Sequence, residues 1–172
     1  MVDVEFLRGY LREIPDFPEP GVTFSDITPL LADPIAFKAA VDAMTEPFAG
    51  MEVDLVVGIE ARGFVLAAPV AYALGAGLVP IRKPGKLPHL TDSISYELEY
   101  GSGALEIHAD AVATGKRVLV VDDVLATGGT AAAAVELVRR QDGDVVGVSF
   151  LVELPLGGRG KLHGLPVVHT VL

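Results

Sequence analysis

Short runs of β-branched residues alternate with longer stretches rich in Ala and Leu along the chain. Runs that are apolar throughout predict strands buried on both faces, because a strand with one wet face alternates apolar and polar residues. These runs lie at 53–59, 78–81, 117–123, 144–153 and 166–171. Apolar residues at helical spacing predict helices over 3–14, 34–48, 64–74 and 130–140. The remaining long segments are interpreted as an ordered loop over 15–33 and a long connection over 82–104.

Flanking residues mark where these helices begin and end. Pro15 ends the first helix, Asp33 and Pro34 suit the N-cap and first turn of the second, and Gly75 suits the C-cap of the third. Strands that alternate with helices predict an α/β fold, a mostly parallel twisted sheet with helices on both faces. A length of 172 residues fits a single domain over 1–172. Ligands of such folds bind beyond the C-terminal ends of the strands.

The composition is that of a globular protein, with 51% hydrophobic and 21% charged residues. Lys and Arg number 13 against 23 Asp and Glu, so the formal net charge is −10. This charge argues against nucleic acid or a membrane as partner, because both are recognised by extended basic surfaces. The absence of cysteine excludes disulfides. The acidic N-terminus lacks the apolar core of a signal peptide, and we expect a soluble cytoplasmic protein.

One uncharged stretch, residues 63–81, is just long enough to cross a bilayer. It is interrupted by Pro69, Gly75, Gly77 and Pro80. A buried helix followed by a buried strand is therefore the better interpretation of this stretch.

The most informative local motif is VLVVDDVLATGGT at 118–130. A strand delivers two adjacent carboxylates, Asp122 and Asp123, to its C-terminal end, and the turn at 126–130 leads directly into a helix. Two glycines let several backbone N–H groups point into one concavity, and the start of the helix adds its positive dipole end. Together these features predict a site for one phosphate group.

Taken alone, Thr-Gly-Gly-Thr is equally well explained as a tight turn with Thr130 as the helix N-cap. A Walker A loop is excluded because no Gly-Lys-Ser/Thr follows. Adjacent carboxylates repel each other and suit packing poorly, but they suit acceptors for two hydroxyl groups. A phosphate cradle a few residues beyond a diol-binding pair predicts a ribose 5-phosphate site.

This segment resembles the phosphoribosyl pyrophosphate (PRPP) signature of the type I phosphoribosyltransferases. Stretches at 14–37, 56–64, 79–88 and 96–108 resemble, in order, the branch of that family that acts on adenine. The resemblance implies a small hood formed by about 14–30 and the C-terminal region, and a flexible active-site loop over about 83–104. It also implies a homodimer, with Mg²⁺ bound mainly through PRPP. The implied reaction is purine salvage, in which adenine and PRPP form AMP and pyrophosphate.

The resemblance also implies roles for the residues that hold PRPP. Asp122 and Asp123 would hold the ribose hydroxyls, and Glu99 on the loop would be the general acid. The 5-phosphate would lie on Ala126, Thr127, Gly128, Gly129 and Thr130. Pyrophosphate would meet the loop at 60–63, and its cationic contacts would be Arg62 together with Arg82, Lys83 and Lys86, the last three across a dimer interface. Without the resemblance, Arg82, Lys83 and Lys86 would be equally consistent with a solvated loop.

Adenine would lie at Thr23, Phe24 and Ser25, with Phe24 stacked on the ring and Leu154 on its opposite face. The family usually has a basic residue at the position of Ser25. If the base is read through the backbone there, little changes, but any side-chain contact to the substrate or the lid would be lost. Judged alone, Phe24 is better explained as a core residue, and Glu99 as a surface acid. The four histidines show no metal-ligand spacing, and no side-chain metal ligand is predicted.

Two other functions stay open at this point. A 6-oxopurine phosphoribosyltransferase would place a lysine and an aromatic residue near the hood, where this chain has Val152, Glu153 and Leu154. A regulator that senses PRPP would need a DNA-binding element, for which the N-terminal stretch is too short and too acidic. The net charge does not exclude PRPP itself, because a small phosphate ester needs only backbone amides, a few cations and Mg²⁺.

Overall fold

The computed structural model describes residues 3–97 and 102–172. Its central strands are β3 (Leu55–Ile59), β4 (Gly77–Ile81), β7 (Arg117–Leu125), β8 (Asp144–Glu153) and β9 (Val168–Thr170). They form one five-stranded sheet in the order β4-β3-β7-β8-β9, and every neighbouring pair is parallel. The predicted mostly parallel sheet is therefore confirmed, with each strand close to its predicted position.

Helices cover both faces of this sheet. One face carries α1 (Val4–Arg8), α2 (Thr28–Ala32), α3 (Pro34–Thr45) and α4 (Arg62–Leu74), and the other carries α5 (Gly129–Arg140). Along β7, Val118 and Val120 join the core under α5, whereas Leu119 and Val121 join the core under α3 and α4. All four side chains are fully buried. A strand buried on both faces needs this continuous apolar pattern.

Two antiparallel strand pairs flank the sheet. β1 (Arg12–Ile14) pairs with β2 (Phe24–Asp26), and β5 (Thr91–Glu97) pairs with β6 (Ser102–His108). The second pair corrects the interpretation of 82–104 as a connection without regular structure. A backbone bridge between Arg82 and Glu106 joins the end of β4 to β6.

The N-terminal region also differs from the predicted structure, because it too contains a pair of antiparallel strands. The helix predicted over 3–14 ends at Arg8 and is followed by β1, and the predicted loop over 15–33 contains β2 and α2. In the strand pair, Arg12 lies opposite Asp26 and Ile14 lies opposite Phe24. A pairing across ten or more residues leaves little trace in the local period from which helices and strands are predicted.

The stretch at 63–81 forms most of α4 and then β4, as the buried interpretation predicted. Gly75 ends α4 in the left-handed region at φ 68°. At the start of α3, the Asp33 side chain accepts hydrogen bonds from the N–H groups of Ile35 and Ala36. None of the helices in the described residues combines the length and apolarity needed to cross a bilayer.

Candidate active site

The carboxyl ends of β3, β4 and β7 meet at one edge of the sheet, where they border a cavity of about 410 Å³. This cavity brings the acidic pair of β7 next to the 60–62 turn and the first and last residues of the phosphate motif. Its polar and charged lining comprises Glu60, Arg62, Lys83, Tyr96, Asp122, Asp123 and Thr130. The family resemblance placed Glu60 in the pyrophosphate loop without a role for its side chain, and sequence reasoning missed Tyr96 as a member of this lining.

The turn after β7 encloses a smaller concavity of about 150 Å³, lined by Asp122 and residues 124–131. Helix α5 begins at Gly129, with Gly128 as its N-cap at φ 77°. The alternative in which Thr130 caps the helix is therefore wrong. Gly128 can adopt this left-handed conformation because it has no Cβ, and such a turn before a helix makes an anion-binding concavity of backbone N–H groups. The Thr130 hydroxyl instead donates to Tyr96 Oη at 3.3 Å.

Asp122 and Asp123 lie within β7, which continues two residues beyond its predicted end. Asp122 Oδ1 accepts a hydrogen bond from the Asp123 N–H at 2.9 Å. Burial, followed by the charge of Asp123, raises the pKa of Asp122 well above its ordinary value. Burial also raises the pKa of Asp123, against the opposing effect of the Arg62 charge.

Arg62, the first residue of α4, is the cation beside this acidic pair. Its Nε lies 2.7 Å from Asp123 Oδ2, and Asp123 is only 5% exposed. Beside this ion pair, Arg62 Nη1 and Asp123 Oδ2 are both buried, and neither has a hydrogen-bond partner among the described residues. A buried donor and acceptor without partners are available to a polar ligand.

The position of Arg62 depends on the glycine that follows it. A Cβ on Gly63 would lie 2.7 Å from Asp122 Oδ1 and 3.1 Å from the Val121 carbonyl oxygen. Helix α4 can therefore begin in direct contact with β7 only because residue 63 has no side chain. This close approach brings Arg62 to Asp123.

Glu60 is the counter-ion of the cationic segment that follows β4. Its side chain is 7% exposed and accepts hydrogen bonds from Arg82 Nε at 3.3 Å, the Lys83 N–H at 2.9 Å and Lys86 Nζ at 2.6 Å. The hydrogen bond from Lys86 is the largest cause of a lowered Glu60 pKa, about 2, with burial opposing it. Arg82 and Lys86 are thus paired within their own chain, and Lys83 lines the site cavity.

A third cavity, of about 520 Å³, lies between the β1–β2 pair and the segment after β8. Thr23, Ser25 and Leu154 all line it, so the structure brings together residues that are far apart in the chain. Phe24 lies between Thr23 and Ser25, with the Arg62 guanidinium 4.7 Å from the centroid of its ring. Glu99, the predicted general acid, lies outside the described residues.

The chain matches the phosphoribosyl transferase domain over residues 28–163. The adenine phosphoribosyltransferase of Thermobifida fusca is 63% identical over 154 residues, which cover 89% of this chain and 88% of that protein. The crystal structure of adenine phosphoribosyltransferase from Thermoanaerobacter pseudethanolicus is 49% identical, with a TM-score of 0.95 over 98% of each chain.

The enzyme from Saccharomyces cerevisiae, in complex with adenine and D-2,5-dideoxy-2,5-imino-altritol 1,6-bisphosphate, is 41% identical, with a TM-score of 0.91 over 98% of each chain. The chain therefore belongs to the phosphoribosyl transferase domain family. These three relatives are adenine phosphoribosyltransferases, and the resemblance drawn from the sequence motifs is confirmed.

Proposed function

We propose that this protein transfers the 5-phosphoribosyl group of PRPP to adenine, forming AMP and releasing pyrophosphate in purine salvage. The observation that carries the proposal is how three cavities are connected. One adjoins the turn at 126–130, the next contains Asp122, Asp123 and Arg62, and the third lies between Thr23 and Leu154. The first two share Asp122, Ala126 and Thr130 in their linings, and the 4.7 Å contact of Arg62 with Phe24 links the second to β2, which lines the third. This order suits a phosphate, a ribose with its leaving group, and a base. The yeast relative that binds adenine and a bisphosphate supports the same reading.

In this proposal the cradle at 126–130 holds the 5-phosphate, and Asp122 and Asp123 accept hydrogen bonds from the ribose hydroxyls. A ring nitrogen of adenine then attacks the anomeric carbon while the bond from that carbon to the pyrophosphate oxygen breaks. Positive charge develops on the ribose ring, as in glycoside chemistry. Two carboxylates beside the ring stabilise that charge, and this effect is present only in the transition state.

The departing pyrophosphate carries the electron pair of the broken bond, so its charge must be balanced. Arg62 and Lys83 line the cavity in which it would lie. Arg82 and Lys86 are held beside that cavity through Glu60. Glu99 would move the proton at the reacting nitrogen of the base, and closure of the loop at 83–104 would exclude water.

Mg²⁺ fits the chemistry of this site. It prefers oxygen ligands and binds substrate phosphates with one or two carboxylates, and Asp122 and Asp123 are a carboxylate pair in the cavity proposed for the ribose. No three His, Asp or Glu side chains are grouped as a metal site within 3–97 and 102–172, and PRPP itself would supply most of the Mg²⁺ ligands. When bound, Mg²⁺ would offset pyrophosphate charge.

We also propose that the protein is a homodimer. Val65 and Tyr72 are seven residues apart on α4 and share one face, with exposed fractions of 46% and 90%. Leu78 on β4, the edge strand next to α4, is also exposed. A second copy of the chain that covers these apolar side chains would lie close to Arg62.

A cytoplasmic location and the absence of nucleic-acid and membrane partners stay predictions. The division of the single domain into a hood and a flexible loop also stays a prediction.

The reaction is tested by comparing bases side by side. Adenine, hypoxanthine, guanine and xanthine are each supplied with PRPP, with and without Mg²⁺, and pyrophosphate release is measured. We expect kcat/KM for adenine to exceed the others by about 100-fold or more, because a site that bonds the edge of one base leaves polar groups unpaired with another. Preference for an oxopurine would refute the proposal. Inactivity with every base, together with salt-dependent DNA binding in a gel shift, would favour a PRPP-sensing regulator instead.

A further inference from the structure

Two glycines from distant parts of the chain are in contact, backbone to backbone, behind the phosphate cradle. A Cβ on Gly128 would lie 2.3 Å from the Gly158 carbonyl oxygen. A Cβ on Gly158 would lie 2.3 Å from the Ala126 carbonyl oxygen and 3.0 Å from the Gly128 nitrogen. Leu125 Cδ1 would lie 2.9 Å from the Cβ on Gly158 and could rotate away, but the two contacts at 2.3 Å are with backbone atoms, so side-chain rotation does not relieve them. Residue 158 must be glycine for the cradle to keep this shape.

Gly158 begins a short 3-10 helix, Gly158–Leu162, and the next residue anchors that helix to the sheet. Arg159 Nε contacts both carboxylate oxygens of Glu153, at 2.9 and 2.8 Å. Its Nη2 donates to the Thr170 hydroxyl at 2.7 Å, and that hydroxyl donates to Glu153 Oε2 at 3.0 Å. We name Glu153, Arg159 and Thr170 the clasp.

The clasp joins the ends of two strands to the segment that carries Gly158. Glu153 is the last residue of β8, and Thr170 is the last residue of β9. Arg159 Nη1 also donates to the Val168 carbonyl oxygen at 2.9 Å. A planar guanidinium with its donors in a rigid fork fixes direction as well as distance, which an ammonium group does not. The clasp therefore fixes where the Gly158 carbonyl lies against Gly128.

We propose that Gly158 is a positioning residue for the 5-phosphate of PRPP, and that the clasp holds it at the correct depth behind the cradle. The inference rests on the proposed placement of that phosphate on residues 126–130. Ala126 and Gly128, which Gly158 contacts, belong to the cradle backbone itself. Displacing them would turn backbone N–H groups away from the phosphate, and hydrogen bonds weaken steeply when they are misaligned.

The main test compares Gly158→Ala with Gly160→Ala. Gly160 lies in the same short helix, and a Cβ there would have no described atom within 4 Å, which makes it a matched control. We expect Gly158→Ala to raise the KM for PRPP by about 10-fold or more, with the KM for adenine within about 2-fold of wild type. Gly160→Ala should leave both constants within about 2-fold.

A second variant keeps the test informative if Gly158→Ala fails to fold. Arg159→Met removes the fork and the charge, whereas Arg159→Lys keeps the charge only. We expect Arg159→Met to weaken binding of ribose 5-phosphate in calorimetry by about 5-fold or more, Arg159→Lys to restore part of the loss, and inorganic pyrophosphate to bind as in wild type. Pyrophosphate has no 5-phosphate, so it reports on the remainder of the site.

Three results would decide against the inference. The first is a KM for PRPP that is the same in Gly158→Ala as in Gly160→Ala. The second is a Gly158→Ala variant in which the KM of both substrates changes equally and the melting temperature falls. The third is an Arg159→Met variant that binds ribose 5-phosphate as wild type does. Thr127→Ala separates this failure from that of the proposed site. If it raises the KM for PRPP while Gly158→Ala does not, only the positioning role is wrong. If neither variant changes that KM, the placement of the phosphate on the cradle is wrong.

Discussion

Asp122 is a carboxyl group whose surroundings oppose its ionisation. Burial and the charge of Asp123 both raise its pKa, and its Oδ1 is already engaged by the Asp123 N–H. A carboxyl group whose pKa is higher in the folded chain than in the unfolded chain costs stability as pH rises from the unfolded value through the folded one. Donors from two ribose hydroxyls would favour the ionised form of Asp122, which burial and the Asp123 charge disfavour.

Replacing Asp122 and Asp123 together by Asn should lower kcat/KM by about 100-fold or more, because the charge that stabilises the ribose ring in the transition state is lost. Steady-state kinetics with PRPP and adenine measure the loss. Circular dichroism and thermal melting serve as controls for an intact fold. Near-normal turnover in the double variant would refute the ribose-binding assignment.

The single variant Asp122→Asn should melt at a higher temperature than wild type at pH 7 to 8, because it removes a buried charge and keeps the acceptor oxygen. The difference should shrink as the pH falls towards the unfolded pKa of about 4 and vanish below about pH 3, where the wild-type carboxyl is protonated in both the folded and the unfolded chain. Thermal melts across this pH range measure the effect. A difference that does not depend on pH would contradict the raised pKa.

Glu60 shows the opposite behaviour, since its partners lower its pKa to about 2. Its stabilising contribution is present above its unfolded pKa and is lost as the pH falls through the folded one. Glu60→Gln should therefore lower the melting temperature at pH 7, and the difference should narrow as pH decreases below about 4.5. Glu136→Gln is the control, because Glu136 pairs with Arg140 on an exposed helix face and such pairs contribute little. Equal losses in both variants would argue against Glu60 as the organising counter-ion.

Among the elements, the β1–β2 pair depends on one carboxylate. Asp26 Oδ2 accepts from Arg12 Nη2 at 2.6 Å, and both Asp26 oxygens accept from the Thr28 hydroxyl. Hydrogen bonds from Thr28, then from Arg12, hold the pKa of Asp26 at about 2. This carboxylate joins β1, β2 and the start of α2, and β2 carries Phe24 and Ser25.

Asp26→Asn should loosen the β1–β2 pair, because an amide has one acceptor oxygen and no charge to hold Arg12. We expect the KM for adenine to rise by about 5-fold or more, with the KM for PRPP within about 2-fold of wild type. Lys38→Met, at an exposed helical pair with Asp42, is a control that should change neither constant. A rise in the KM for PRPP alone would contradict the placement of adenine beside β2.

The β5–β6 pair shows how one helix connects the parts of the site. Gln141, just after α5, donates to Asp92 Oδ2 at 2.7 Å and to the His108 carbonyl oxygen at 2.9 Å. At the other end of the same helix, Thr130 donates to Tyr96. Helix α5 thus contacts the strand pair at both ends while its first residues form the cradle.

At the scale of the whole molecule, the proposed homodimer is tested through α4. Tyr72→Asp should shift the protein from dimer to monomer, because it places a charge within an apolar contact between copies. Sedimentation velocity measures the shift. Ile35→Asp, on α3 and 70% exposed, is the control expected to leave the dimer intact. A wild-type protein that sediments as a monomer at micromolar concentration would refute the dimer.

The five strands of the sheet, the two-sided core and the turn at 126–130 were all predictable, because each depends on residues close together in the chain. The apolar run from Val118 to Val121 predicts burial on both faces of the sheet even when the neighbouring strands are unknown, and all four residues are buried. The Gly-Gly turn that follows a strand likewise predicts an anion-binding turn from residues adjacent in the chain. The roles of Phe24, Ser25 and Leu154 were inferred from resemblance, since nothing in the chain itself points to a base.

Other features depend on elements that meet only in the folded chain. The strand pairs β1–β2 and β5–β6, the pairing of Glu60 with Lys86 and the contact of Gly128 with Gly158 join residues that periodicity does not relate. The spacing of apolar residues and the presence of turn-forming residues report on short segments of the sequence. They therefore identify strands, helices and a phosphate-binding turn. The counter-ion of a buried carboxylate, the partner of an antiparallel strand and a contact too close for a Cβ all arise from packing between distant segments. Only the tertiary structure determines them.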